Sequence, residues 1–527
     1  MRAPMRRSIA VSVWSVCSLV ALGGPNLVRA QSTDKLGTIS FPNSGNAAAQ
    51  APFLRGMKLY YSFEYGPAAT AFQEAQKADP SFTLAYVGEA LTHTHQVWNQ
   101  QNVGAARAAL AKLAPNATQR LSMAKTPRER MYGELVEILY GDGSKARRDT
   151  LFTDAAERIA RAHPNDDEAK MLQALGLLGL NQSVRDFPTY MRAGALAEEV
   201  LRRNPDHPAA AHYIIHAFDD PIHAPLGLWA ARAYSKIAAG APHAVHMTSH
   251  IYVALGMWDD VIEQNQVAAG HDHANYTAGH YTLWLGYGYL QAGRLNDAMA
   301  HIETMGRNFS KTQRAPEANA LAMLLGHYYV DAGGTIDNAA WKLPPPATMN
   351  AAAATSAFVA GLVAIREKDA KGATAAVDRL DEGAKSGAPA GRDAIAVLAK
   401  ELRAEIASAA GRHDEAIALA RSASEAEEGM PYEYGPPQFV KPTHELLGEV
   451  LLAAGKHGEA KTAFQRSLAR TPGRARSLVG LARAAAGAGD KATMDAAVAA
   501  LKANWHASDK NLPELAELTK LVASSSK

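Results

Sequence analysis

Cysteine is nearly missing from this chain: Cys17 is the only one among 527 residues. It lies inside an apolar N-terminal stretch that reads as a cleavable leader, so the mature chain is expected to carry no thiol. That excludes disulfides and thiolate metal sites and leaves His, Asp, Glu, Met and backbone oxygen as possible metal ligands. An excess of one charge is also missing. The 54 basic and 52 acidic residues are interspersed and give a formal net charge of +2, which predicts no nucleic-acid partner. Past the leader no apolar run is long enough to span a membrane. There is no HExxH pair, no glycine-rich phosphate loop and no nucleophile elbow, so the common zinc-peptidase, P-loop and α/β-hydrolase mechanisms have no motif to rest on. Long β-branched runs are scarce as well. With 47% hydrophobic residues, many of them alanine, and helical periodicity nearly throughout, the composition predicts an all-α chain.

The N-terminus has the three parts of a secretory signal. Arg2, Arg6 and Arg7 form the positive region, Ile9 to Leu22 the apolar core, and Val28-Arg29-Ala30 the small-residue site for a cut ahead of Gln31. Residues 1–30 are therefore read as a signal peptide, and the mature protein as periplasmic or secreted. Trp14-Ser15-Val16 before Cys17 makes a poor lipoprotein box, which argues against a lipid anchor.

From residue 51 onward a spacing recurs. Gly56, Leu59, Ala68, Phe72, Ala75 and Pro80 have their counterparts in Gly448, Leu451, Ala460, Phe464 and Pro472, and in Gly286, Tyr289, Ala298 and Ile302. Small residues let paired helices approach, large ones fill the seam and proline stops the second helix. This pattern resembles the tetratricopeptide repeat (TPR), whose period is about 34 residues. The resemblance implies a solenoid of about nine or ten helical hairpins. Breaks near 97–127, 181–188 and 306–350 imply irregular insertions. The organisation read from these features is an extended segment at 31–50, a TPR-like array at 51–310 and a helix with a Pro-rich insertion at 311–350. A second array at 351–510 and a tail at 511–527 complete it. The loop from Gly429 to Pro442, with Tyr432, Tyr434, Pro436 and Pro437, is expected to fold across a groove. Phe41-Pro42-Asn43-Ser44-Gly45, the run from Asn204 to Pro225 and His246-Met247-Thr248-Ser249-His250-Ile251 resemble segments of secreted bacterial TPR proteins that have no assigned activity. The resemblance implies a fold and is silent about chemistry.

Histidine supplies the chemistry. Ten of the 19 histidines lie between His207 and His280. His212/His216 and His246/His250 are i,i+4 pairs, each on one helix face. The second pair follows the first by one full repeat period. In TPR register His212 and His246 take position 5, His216 and His250 position 9, and His243 position 2, all on the concave face. These residues are read as ligands of a divalent transition metal, with copper or zinc favoured and iron also compatible with imidazole. Asp219 and Asp220 are candidates for a general base or for an acceptor that orients an imidazole. His280 lies one further repeat period beyond His246, although its own unit registers it at position 2. His280, His95, Glu89, His223 and Tyr252 are further groove candidates.

Such a centre would suit an oxidoreductase somewhat better than a hydrolase, or a structural role if the metal is fully ligated. The competing reading is a non-enzymatic scaffold that binds a peptide or protein along the groove. A third is a small organic substrate held without metal against Tyr213, Tyr252, Tyr276, Tyr281 and Trp284.

Overall fold

A computed structural model describes residues 35–180, 185–270, 279–333, 349–386, 389–432 and 434–524. The leader, His271, His273, Tyr276 and the Pro344–Pro346 run lie outside the described residues. From Ala47 to Ser524 the described chain is a succession of α-helices, most of them packed against the next in sequence. Among the described residues strand is limited to two residue pairs, Thr94–His95 and Gln100–Gln101, which form an antiparallel rung on either side of the short 3-10 turn Gln96–Trp98. The preceding helix stops at Leu91, so His95 and Trp98 sit in this small hairpin.

The repeat spacing becomes packing. Phe72 is completely buried and sits where a Cβ on Gly56 would come within 2.7 Å of its ring, and a Cβ on Gly88 within 2.4 Å. Phe464 stands in the same relation to Gly448 and Gly480. One aromatic ring thus locks into the first helices of two successive hairpins, and only glycine leaves room for it. The glycine-to-glycine interval is the same in both places, so the two ends of the chain use one packing rule. Asn46, Thr126 and Ser144 cap helix starts by accepting backbone N–H bonds three residues on. Prolines open the helices Pro208–Phe218 and Pro242–Leu255, where the missing N–H costs nothing. These two helices start one repeat period apart, so their histidines occupy the same turns.

The array does not stay open. The segment before the first helix runs back along the middle of the chain: Thr38 N–H donates to Asp206 O at 2.9 Å and Gly240 N–H to Lys35 O at 2.8 Å. At the other end, the helices after Thr443 fold onto residues 256–296. Trp258 Nε1 donates to Gly473 O at 3.0 Å, and Ala475 N–H to Gln291 Oε1 at 2.9 Å. The centre of this closure is Arg474, which is fully buried. Its guanidinium donates to both oxygens of Glu445 at 2.8 and 3.0 Å, to Asp331 at 2.9 Å and to Val440 O at 3.1 Å. Among the described residues no helix is long and apolar enough to cross a membrane.

Truncating Arg474 strands two buried carboxylates. Arg474→Ala is expected to cost about 3–5 kcal/mol and to lower the thermal midpoint read by circular dichroism. A variant melting like wild type would show that the closure does not depend on this ion pair.

Candidate metal centre

The helices Pro208–Phe218, Pro242–Leu255 and His280–Gln291 follow one another in the array and present their histidines to a common interior. His212 and His246 are 0% exposed, His250 2%, His216 4% and His243 6%. His280 stands at the edge, open to solvent but in ring contact with His246, centroids 4.5 Å apart. Three sets of side chains bring ligand-capable atoms within 4.8 Å of one another: His212, His216 and His243; His246, His250 and His280; and His216, Asp219 and His250. All five histidines named as metal ligands are brought together, and His280 joins them.

The Nδ1 atoms decide which ring nitrogen faces inward. His212 Nδ1 meets the backbone oxygen of Tyr61 at 2.7 Å, and His246 Nδ1 meets Asn265 Oδ1 at 2.7 Å. Asn265 Nδ2 donates to Val261 O, which fixes its amide so that Oδ1 faces the imidazole. Asp219 Oδ2 takes His250 Nδ1 at 3.2 Å and His216 Nδ1 at 3.5 Å, while Asp219 Oδ1 pairs with Arg185 at 2.8 Å. A carbonyl oxygen or an ionised carboxylate can only accept, so His212, His246 and His250 carry their proton on Nδ1 and turn the Nε2 lone pair inward. His243 Nδ1 lies 3.4 Å from the hydroxyl of Tyr281. The Nε2 atoms of His212, His216, His243, His246 and His250 are all buried and meet no hydrogen-bond donor of the described protein. A buried group left without a partner costs about 1–3 kcal/mol. Five in one place represent a stability cost comparable to that of a whole domain.

Aromatic rings enclose the imidazoles. Phe63 lies in the turn after the first helix with φ +57°, a conformation a phenylalanine rarely adopts. Its ring packs on His212 at 4.3 Å and on His216 and His243 at 5.6 Å each. Trp284 stacks on His250 at 4.5 Å, and Tyr434 stacks on the same imidazole at 5.4 Å. The loop expected to cross the groove thus reaches the histidines. Gly435 is needed there, with φ +116° and space for no side chain against Trp284.

Burial holds the imidazoles of His212, His243 and His246 well below the ordinary range, and neighbouring imidazoles lower them further. Burial lowers His250 too, although Asp219 opposes it. Asp219 is lowered as well, which for a carboxyl favours the charged form. Its burial favours the neutral acid, but Arg185 and the two imidazoles prevail and hold it ionised below the usual carboxylate range. An ionised carboxylate this weakly basic orients its neighbours and is a poor general base.

The remaining candidates have other partners. Asp220 closes a turn: its Oδ1 accepts the backbone N–H of Ile222 and His223, and His223 Nδ1 bonds back to it at 2.9 Å. His223 packs on Phe187 instead of the cluster. Glu89 is tied to Gln73, Gln76 and Lys112 in an ion-paired network that holds it below its usual range despite burial. His95 stacks on Tyr65 at 3.9 Å and contacts Trp98, one ring removed from His243. Tyr252 is buried in the core, with Asp260, Arg232 and Glu263 as its charged neighbours. Sequence reasoning missed Phe63, Arg185 and Asn265. Only Asn265 carried a local signal: a polar residue where the helix Trp258–Gly270 faces its partner.

No protein-family model and no curated protein matches this chain. Solved structures with a similar course include the APC/C hetero-tetramer Cut9-Hcn1, at 11% identity and TM-score 0.36 over 93% of this chain and 79% of that one. Yeast Tom70 is similar at 11% identity and TM-score 0.28 over 91% and 95% of the two chains. The P58(IPK) TPR domain is similar at 13% identity and TM-score 0.21 over 91% and 100%.

Acid should weaken the metal-free fold. Imidazoles kept neutral when folded bind fewer protons than in the unfolded chain once pH falls below 6.5. Each must then be held neutral at about 1.4 kcal/mol per pH unit, down to its folded pKa. Asp219, lowered from 3.8, loses its contribution only below that window. The thermal midpoint of chelator-treated protein should therefore fall steadily from pH 7 to pH 5. A flat profile would mean that the cluster is already protonated or open to water.

Proposed function

We propose that this chain is an exported metalloprotein, a TPR-like solenoid whose central repeats bury a transition-metal centre built from imidazoles. The observation that carries the reading is the pairing of roles on each ring. In His212, His246 and His250 Nδ1 is spent on a fixed acceptor, which is the arrangement that orients histidine ligands and raises their basicity. Nε2 of the same rings is buried without a hydrogen-bond partner. A helix array gains nothing from this as packing, since leucine would fill the same space without orphaned nitrogens.

Neutral imidazole donors suit copper and zinc, and also iron. Redox chemistry is favoured over hydrolysis because the one carboxylate among the described rings, Asp219, is committed to Arg185 and two imidazoles. Glu64, the carboxylate beside His243, is taken up by the backbone N–H of that residue. A small substrate would approach past His280, the edge member of the set. The alternative reading, a scaffold for a peptide or protein partner, draws on Ile222, Leu226 and Trp229, exposed apolar residues at helical spacing. The leader and the thiol-free mature sequence fit a periplasmic or secreted setting.

The test is elemental analysis by ICP-MS on protein purified without a polyhistidine tag or chelator. At least one copper, zinc or iron per chain is expected, and none in a His212→Ala/His216→Ala/His246→Ala/His250→Ala variant. Protein that stays metal-free after incubation with salts of all three metals would sink the reading. Asn265→Ala removes only the acceptor for His246. It should keep the helical spectrum and weaken metal binding by about 10–100-fold. Unchanged affinity would show that His246 is not a ligand.

A further inference from the structure

Resting on that reading, we infer that the centre is a pair of adjacent copper sites of three imidazoles each, built to hold a small anion between them. The repeat itself generates the two sites. One helix supplies an i,i+4 pair, His212 and His216, and the start of the next helix in the interior supplies His243. One repeat later the same construction recurs, with His246 and His250 on that helix and His280 at the first turn of the next. The helix Pro242–Leu255 contributes to both.

A single ion cannot use all six imidazoles as they stand. Nitrogens at about 2.0–2.1 Å from one metal lie no more than about 4.2 Å apart even when opposite each other. Six ligands of one ion would therefore form one close set. Here the nitrogens close up three at a time, each trio within 4.8 Å. The trios abut where His216 faces His250, centroids 5.8 Å apart, and where His243 faces His246, at 6.0 Å. Asp219 spans that junction, holding one imidazole of each trio on the same carboxylate oxygen. The two ions would thus be neighbours sharing one enclosure.

Charge then selects what joins them. All six donors are uncharged as imidazole ligands, and Arg185 is shared between Asp219 and Asp220, which leaves one carboxylate charge over. Glu64, which accepts the backbone N–H of His243 at 3.0 Å, adds one further negative charge. Two divalent ions would leave a net positive charge among buried aromatic rings, where unbalanced charge is costly. A small anion such as hydroxide or azide, bound to both ions, relieves it; so does copper in its monovalent state, which zinc does not offer. For the same imidazole donors copper(II) also binds more tightly than zinc.

The experiment loads the full chain with copper(II), removes loosely held ions by dialysis, and measures copper per chain together with the doubly integrated EPR signal, with and without azide. Wild type should hold two coppers and show far less than two spins, because an anion bridge couples them. His212→Ala/His216→Ala and His246→Ala/His250→Ala should each hold one copper with one full spin and no loss of signal on adding azide. One copper per wild-type chain, absent from either variant, would overturn the pair and leave a single shared centre. Two coppers giving two full spins with azide present would overturn the bridge. No retained copper would remove the metal reading as well. Circular dichroism on each variant separates loss of a site from loss of fold.

Discussion

Three hydrogen bonds to groups that can only accept determine the character of this protein's interior. The backbone oxygen of Tyr61, the amide oxygen of Asn265 and one oxygen of Asp219 take the Nδ1 protons of His212, His246 and His250, and the same Asp219 oxygen faces His216 Nδ1 at 3.5 Å. With those protons placed, the other ring nitrogens are bare acceptors pointing at one another. Without the bonds each imidazole could rotate or change tautomer, and the cluster would be a set of polar side chains with no common direction. Arg185 belongs to the same device, because it keeps Asp219 ionised and therefore unable to donate.

The closure of the solenoid serves that interior. An open TPR-like array would expose positions 5 and 9 to water, where imidazoles titrate near their ordinary value and find solvent partners. Here the turn carrying Phe63 enters from one end of the chain and the loop carrying Tyr434 from the other, and the rings they bring replace water around the histidines. Phe63 is held there in a left-handed backbone conformation, a strain of about 1–3 kcal/mol that the surrounding packing must offset. The same closure buries Arg474 with Glu445 and Asp331. Two buried polar assemblies, one ionic and one of imidazoles, therefore depend on how the ends of the array meet its middle.

Local pattern and tertiary structure contributed differently to what could be read. Gly56 with Phe72 and Gly448 with Phe464 were legible because a repeat writes its packing rule at a fixed spacing, and each of these contacts falls within one hairpin. The histidine ligands were legible for the same reason, since phase with the repeat means a shared face. Glu89 and Asp220 could not be assigned from spacing, because an acidic residue near a groove reads alike whether it serves a site, an ion-paired network or a turn. His280 was ambiguous because its own helix starts with it, which shifts its register by a turn.

By itself the sequence determined the helices, their pairing and the common face of the two histidine pairs, since all three follow from spacings no longer than one repeat. Only the tertiary structure decided that this face is an enclosed interior, which nitrogen of each ring looks inward, and that Phe63, Arg185 and Tyr434 belong to it. Those outcomes depend on contacts between segments far apart in the chain, such as Tyr61 with His212 and His250 with Tyr434. No local periodicity encodes how far an array must curl before its ends meet its centre.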